Sequence, residues 1–336
     1  MDAVVLGKVK SVKSAVDVSK GVVVDVDDNV YKAIMDRTLT SAHSFASVTY
    51  GGWIYTLAVD DTYVYVGGAT TLTVRKYLKS DLSYIGETPS YGGQINSILV
   101  DDTYVYVGGA TTLTVRKYLK STLAYISESP LFATAIHSMV DDDSYIYVSS
   151  HAYAMVRKYD KSTLAYVGTT ASYGAGIYAL AVDDTYVYVG GATTLTVRKY
   201  DKSTLAYVGE TASYGGQINS IAVDDTYIYA GGDTIQTVRK YNKSTLAYIA
   251  STPNVGGIIQ KIILDDDYFY VGGDTFNVVK KYSKTTYTNI TSTSDYGGSV
   301  WGIALDGKYL YAGGSTTNTI RRYNNFYNLL GYGRVW

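Results

Sequence analysis

The segment DDTYVYVGGATTLTVRKY begins at Asp60 and returns almost unchanged at Asp101 and Asp183, with related copies beginning at Asp142, Asp224, Asp265 and Asp306. Every interval is 41 residues. The same register places Tyr77, Tyr118, Tyr159, Tyr200, Tyr241, Tyr282 and Tyr323 at the ends of seven triplets of two basic residues and a tyrosine. A self-similar period of this length restricts the chain to a solenoid, a propeller or an array, because each unit is one supersecondary element that must bury its faces against neighbours.

Each copy holds four strand-like runs separated by turn signals. In the fifth these are INSIAV from Ile218 to Val223, TYIYAGG from Thr226, QTVRKY ending at Tyr241 and TLAYIAS from Thr245. The separators are rich in Asp, Asn, Gly and Ser, which turn the chain by bonding nearby backbone or by adopting left-handed conformations. Composition agrees: thirty-eight tyrosines against five phenylalanines, thirty-three glycines and three prolines describe many short strands joined by tight turns. Four strands in roughly 40–45 residues is the grammar of a propeller blade. A parallel β-helix has shorter coils, and a leucine-rich repeat needs a different ladder. The expected fold is all-β, a seven-bladed β-propeller of four-stranded blades over residues 42–336, preceded by an arm at 1–41.

The pattern of an apolar residue followed by AVDDxxVYVGG and then TVxKY, over residues 53–336, resembles the NHL and YVTN classes of propeller repeat, and more loosely WD-repeats. The resemblance implies architecture, since one propeller fold hosts many functions. Two segments fall in register to complete the seventh blade, residues 42–52 and residues 326–336, and the pattern leaves both open. The arm mixes valine alternation at Val22 to Val26 with scattered lysines. Ser19-Lys20-Gly21 suits a hairpin turn, and Asn29 suits the cap of a helical turn running to Met35. So short a segment rarely folds alone, so it is expected to attach the propeller to a protein partner or to a second copy of the chain.

Several function classes are disfavoured. A net charge of −1 gives no broad electrostatic footprint for nucleic acid. Without cysteine there are no disulfides or thiolate metal sites. No run of eighteen apolar residues occurs, so no membrane span is expected. Met1-Asp2 opens without a basic region and no apolar stretch follows, so no secretory signal is expected. No metal and no cofactor are expected, because His137 and His151 lack a third ligand at metal-like spacing.

In a propeller, the fourth-to-first and second-to-third connections share one face. The near-invariant DDT and KST turns fall on the other face and read as structural. The variable face therefore carries the candidate ligand-binding residues: Tyr55, Asn96, His137, Tyr178, Asn219, Gln260 and Trp301 at the second position of each first strand, with Trp53 beside them. Tyr50, Tyr91, Tyr173, Tyr214 and Tyr296, in the connection just before, complete the set. Aromatic faces with amide donors suit sugar rings, and the same residues suit protein contacts. No catalytic residue is assigned. Glu87, Glu128, Glu210, Asp233, Asp274 and Asp295 lie on this face as carboxylates for a less favoured glycosidase or lyase reading, which needs two of them together.

The leading expectation is a non-enzymatic recognition module for a surface glycan or receptor. A non-repeat arm before a β-rich head is similar in layout to surface or tail-fibre proteins of tailed viruses, which act outside the cell without a secretory signal; a cytoplasmic location is the alternative. The competing expectation is a structural scaffold that mediates protein–protein contacts.

Overall fold

The structure is a computed structural model that describes residues 45–46, 49–132 and 134–324. It contains seven four-stranded antiparallel sheets, six of them simple meanders of consecutive strands. Blade one comprises Ile54–Val59, Tyr63–Gly68, Arg75–Leu78 and Tyr84–Glu87. The following blades repeat this layout, except that the first strand of blade three is shortened to Ser138–Asp141. The first strands touch one another in order, and that of blade seven, Val300–Leu305, touches that of blade one. The ring is closed, as the seven repeats predict.

Blade seven is completed from the other end of the chain. Phe45–Ala46 pairs antiparallel with Arg321–Asn324, setting Phe45 opposite Arg322 and Ala46 opposite Arg321. Of the two segments in register, 42–52 thus supplies the closing strand. Residues 326–336 lie outside the described residues, as does the arm at 1–41 with its expected hairpin and helical turn.

The core sits between blades rather than within them. Ala179, Ala181, Tyr188 and Val197 of blade four cluster with Tyr214, Ile218, Ile221 and Ile228 of blade five. Tyr311 and Ile320 of blade seven cluster in the same way with Tyr50, Ile54 and Val64 of blade one. A single meander exposes both of its faces, and only stacking against two neighbours removes them from water. The first glycine of each GG pair makes the stacking close. A Cβ on Gly190 would stand 2.7 Å from Ile218 Cγ2, and one on Gly313 would stand 2.5 Å from Ile54 Cγ2. The second glycine faces its own blade: a Cβ on Gly232 would stand 1.7 Å from the Gln217 carbonyl oxygen.

Turn chemistry on the conserved face goes further than the sequence indicates. Asp60 Oδ1 accepts from the Thr62 and Tyr63 amides at 2.8 and 2.6 Å, closing the turn between first and second strands. Its Oδ2 accepts from the buried Tyr65 hydroxyl at 2.9 Å. Lys120 of the next blade pairs with the same carboxylate at 3.5 Å. The pattern recurs around the ring, and Lys79–Asp306 at 2.7 Å joins blade one to blade seven. A second basic residue adds a second tie. Lys76 donates to the Lys120 carbonyl at 2.9 Å, and Arg322 donates across the closing seam to the carbonyls of Lys79 and Ser80, the latter at 2.6 Å.

The third strand is shorter than its sequence run. In blade five it spans Arg239–Asn242, because Gln236 adopts a left-handed φ of 51° and the Val238 amide is taken by the Thr252 hydroxyl at 3.0 Å. The turn after it holds a left-handed leucine in five blades, for example Leu123 with φ 61°. That conformation costs an L-residue about 1–2 kcal/mol, and burial of the leucine side chain offsets it.

Two predictions follow from this packing. Gly190→Ala should destabilise the propeller by about 1–3 kcal/mol through overpacking. Combining it with Ile218→Ala, which removes the Cγ2 that the new methyl meets, should cost less than the sum of the single changes in denaturant unfolding. The aspartate ring sets an acid limit. Burial opposes ionisation of Asp60, but the two turn amides, the Tyr65 hydroxyl and Lys120 outweigh it and hold the carboxyl below its usual range. Asp101, Asp142, Asp183, Asp224 and Asp306 are lowered likewise. A carboxyl with a lowered folded pKa stabilises fully above the unfolded pKa, and that stability is lost as pH falls through the folded value. Asp60→Asn should therefore cost about 1–3 kcal/mol at neutral pH, and the two stability curves should converge as the pH falls below the ordinary aspartate range and through the lowered folded value.

Candidate functional site

The central channel opens on the variable face into a cavity of about 630 Å³. The first strands build its wall, and a β-bulge decides what they present. In blade one Ile54 pairs with Gly68 and Thr56 with Gly67, leaving Tyr55 as the extra residue. The same slip leaves Asn96, Tyr178, Asn219, Gln260 and Trp301 extra in blades two, four, five, six and seven. An ordinary strand alternates its faces, whereas a bulge re-aims a side chain. Two consecutive positions can therefore line the channel. The second-position residues, with His137 from blade three, ring the mouth. The third-position residues Thr56, Ser97, Ser138, Ala179, Ser220, Lys261 and Gly302 line the throat beneath.

The mouth is not uniform. On one side Tyr55 stacks on Trp301 at 5.2 Å between ring centroids and 15° between planes. Trp53, 50 % exposed, meets Trp301 edge-on at 5.5 Å. Blades three and four contribute a second aromatic group, in which His151 packs on His137 at 3.8 Å and on Tyr178 at 4.1 Å. Amides fill the sectors between. Gln94 donates to Asn96 Oδ1 at 2.7 Å, and Asn96 donates to the Ile136 carbonyl of the next blade at 2.8 Å. Gln217, Asn219 and the Ile259 carbonyl repeat this relay at 2.6 and 3.1 Å. In blade six Asp274 accepts from Gln260 at 2.8 Å and from the Trp301 indole of blade seven at 2.6 Å.

These bonds fix the orientation of the mouth side chains while leaving polar atoms on the cavity wall, since each amide nitrogen carries two hydrogens. The electrostatics favour a neutral histidine pair. Burial first, then the neighbouring His151 and more distant Lys261, push the His137 pKa down to about 3 against a modest opposing bond with the Tyr178 carbonyl. Burial also lowers His151.

The expected binding residues divide into two groups. Trp53, Tyr55, Asn96, His137, Tyr178, Asn219, Gln260 and Trp301 come together at the mouth. Tyr50, Tyr91, Tyr173, Tyr214 and Tyr296 do not: all five are fully buried, which corrects their placement as ligand-facing groups. Their hydroxyls serve the backbone instead. Tyr91 donates to the Thr114 carbonyl at 2.7 Å and accepts from the Gly109 amide at 3.0 Å. Tyr214 does the same with Thr237 and Gly232 at 2.7 and 2.9 Å. These tyrosines pin the connections around the channel from within the core.

The carboxylates do not converge. Glu87, Glu128 and Glu210 pair with Arg75, Arg116 and Arg198 of their own blades at 2.9, 2.9 and 2.8 Å. Asp233 accepts from the Gln217 amide at 3.0 Å, and Asp295 from the Gly297 amide at 2.6 Å. Asp274 alone among these carboxylates lines the cavity. Among the described residues no group of three His, Cys, Asp or Glu is placed to hold a metal ion. Sequence reasoning missed Lys261. Its signal was present: aligned copies place a small residue at the third position of every other first strand.

The Lys261 charge reaches His137, so Lys261→Met should raise the His137 pKa, and histidine NMR titration should show His137 still neutral at pH 5 in the parent protein.

The architecture is shared widely among solved structures. The computationally designed Ika8 protein superposes with a TM-score of 0.66 at 13% identity, covering 84% of this chain and 99% of its own. U3-55K superposes with a TM-score of 0.77 at 14% identity, covering 85% and 99% respectively. At such identity the likeness extends to the fold. No protein-family model matches the sequence, and comparison with curated proteins gives no relative.

Proposed function

We propose that this chain is a non-enzymatic recognition protein and that the channel mouth on the variable face binds a saccharide. One observation carries the reading: two aromatic groups, Trp53/Tyr55/Trp301 and His137/His151/Tyr178, flank the mouth, with oriented amides in the sectors between them. A sugar presents apolar C–H faces to aromatic rings and hydroxyls to amides. The half-exposed Trp53 offers a ring face at small entropic cost, since it has only two side-chain torsions. The blade grammar resembling NHL and YVTN repeats, and a layout similar to surface or tail-fibre proteins of tailed viruses, fit such a module exposed to cell envelopes.

A second reading rests on a different observation. Tyr84-Ile85, Tyr125-Ile126, Tyr166-Val167, Tyr207-Val208 and Tyr248-Ile249 repeat an aromatic and β-branched pair, each about half-exposed, on the outermost strands of five successive blades. An apolar belt of this kind suits protein contacts in a scaffold.

Binding of the full chain to purified envelope polysaccharides discriminates the two. Under the saccharide reading, Trp53→Ala with Trp301→Ala weakens binding by about 10-fold or more, where tenfold corresponds to about 1.4 kcal/mol. Tyr84→Ser with Tyr125→Ser leaves it unchanged. No binding of any polysaccharide by the folded parent chain would favour the scaffold.

A further inference from the structure

Six of the seven throat positions carry side chains no larger than threonine, and the seventh carries Lys261. A long cation in a ring of small residues is unlike the other lysines of this fold. Lys76, Lys117, Lys158, Lys199 and Lys240 each donate to a carbonyl of the next blade and lie over a tyrosine ring. Lys120, Lys161, Lys202, Lys243 and Lys284 pair with an aspartate of the preceding blade. Among the described residues Lys261 has neither kind of partner. The single carboxylate on the cavity wall, Asp274, has its two oxygens engaged by Gln260 and Trp301.

We propose that the channel recognises an acidic saccharide, with the sugar held at the aromatic mouth and its carboxylate or phosphate reaching down to the Lys261 ammonium. The inference rests on the saccharide reading above and adds the charge of the ligand and the residue that selects it. The small throat residues leave the depth that such a substituent needs, and Ser97, Ser138 and Ser220 place hydroxyls in the same ring. Two of those hydroxyls are partly spoken for: Ser97 accepts from the Met139 amide at 3.1 Å and Ser220 from the Ile262 amide at 2.9 Å. Such acceptor bonds leave each hydroxyl hydrogen to be donated, which is the polarity an anion requires. Lys261 is exposed to channel water, and desolvation by the surrounding channel wall lowers its pKa from the ordinary lysine value. Bringing an anion beside it would favour the charged form again. Neutral histidines at the mouth confine the positive charge to the throat.

The test uses the full chain against envelope and capsular polysaccharides in three forms: native, carboxyl-reduced and dephosphorylated. Affinity is measured for the parent, K261Q and K261R, with thermal unfolding confirming that each variant is folded. The proposal expects an acidic polymer to bind and to lose at least 10-fold when its charged group is removed. The form that loses affinity identifies the group as carboxylate or phosphate. K261Q should bind the acidic and neutralised polymers alike, and K261R should retain the discrimination. Equal binding of both forms by the parent, or undiminished discrimination by K261Q, would overturn the inference while leaving the saccharide site standing. Absence of binding by any polymer would overturn both. Inorganic phosphate at constant ionic strength provides the remaining arm. If it shifts the Lys261 ε-carbon NMR signal and no polymer does, the throat holds a free anion and the saccharide assignment fails.

Discussion

The contact between the first glycine of one blade and the leading aliphatic residue of the next governs the rest of this structure. Gly67 faces Ile95, Gly190 faces Ile218, and Gly313 faces Ile54 across the closing seam. With no side chain at the glycine, neighbouring sheets approach closely enough to share one hydrophobic cluster at each interface. Four-stranded meanders have no interior of their own, so the stability of every blade is lent by its neighbours. Blade three shows the tolerance of this scheme: it has Ser149-Ser150 where other blades have the glycine pair, and its first strand is shortened.

The two faces of the disc then divide their work. On one, the aspartate turns, buried tyrosine hydroxyls and lysines of the next blade form a polar belt that ties each blade to the following one. Two carbonyl ties and an ion pair also cross the seam between blades seven and one. These groups are nearly invariant between copies because all of their partners are within the ring. The sequence breaks the pattern once, with Asn325 in place of the repeating lysine. On the other face the channel residues change from blade to blade. A fixed scaffold with a variable mouth is how a repetitive chain acquires an asymmetric site.

The number of blades, their four strands and the structural nature of the conserved turns were legible from the 41-residue period and the turn residues. The sequence left the closing strand open, since both termini fell in register; the pairing of Phe45–Ala46 with Arg321–Asn324 decides it. The candidate site was half legible. Position after the first strand residue correctly marked the mouth, but Tyr91 and Tyr214 share its aromatic chemistry and lie in the core. What separates them is three-dimensional: a buried tyrosine can satisfy its hydroxyl with a loop carbonyl and a glycine amide, and the sequence does not display those partners. The bulge was also hidden, because one extra residue in a strand leaves no mark on composition. In blade six it sets Gln260 apart as the extra residue, so that Lys261 follows it on the wall.

The central claim is that recognition occurs at the channel mouth rather than at the rim or the conserved face. The most direct measurement is the indole N–H spectrum of the isotopically labelled full chain during titration with a bound oligosaccharide fragment. The account predicts that the Trp53 and Trp301 signals, assigned by single substitution, both shift and saturate together, because the two rings touch and flank one mouth. Saturable binding that leaves both indoles unmoved would place the ligand elsewhere and contradict it.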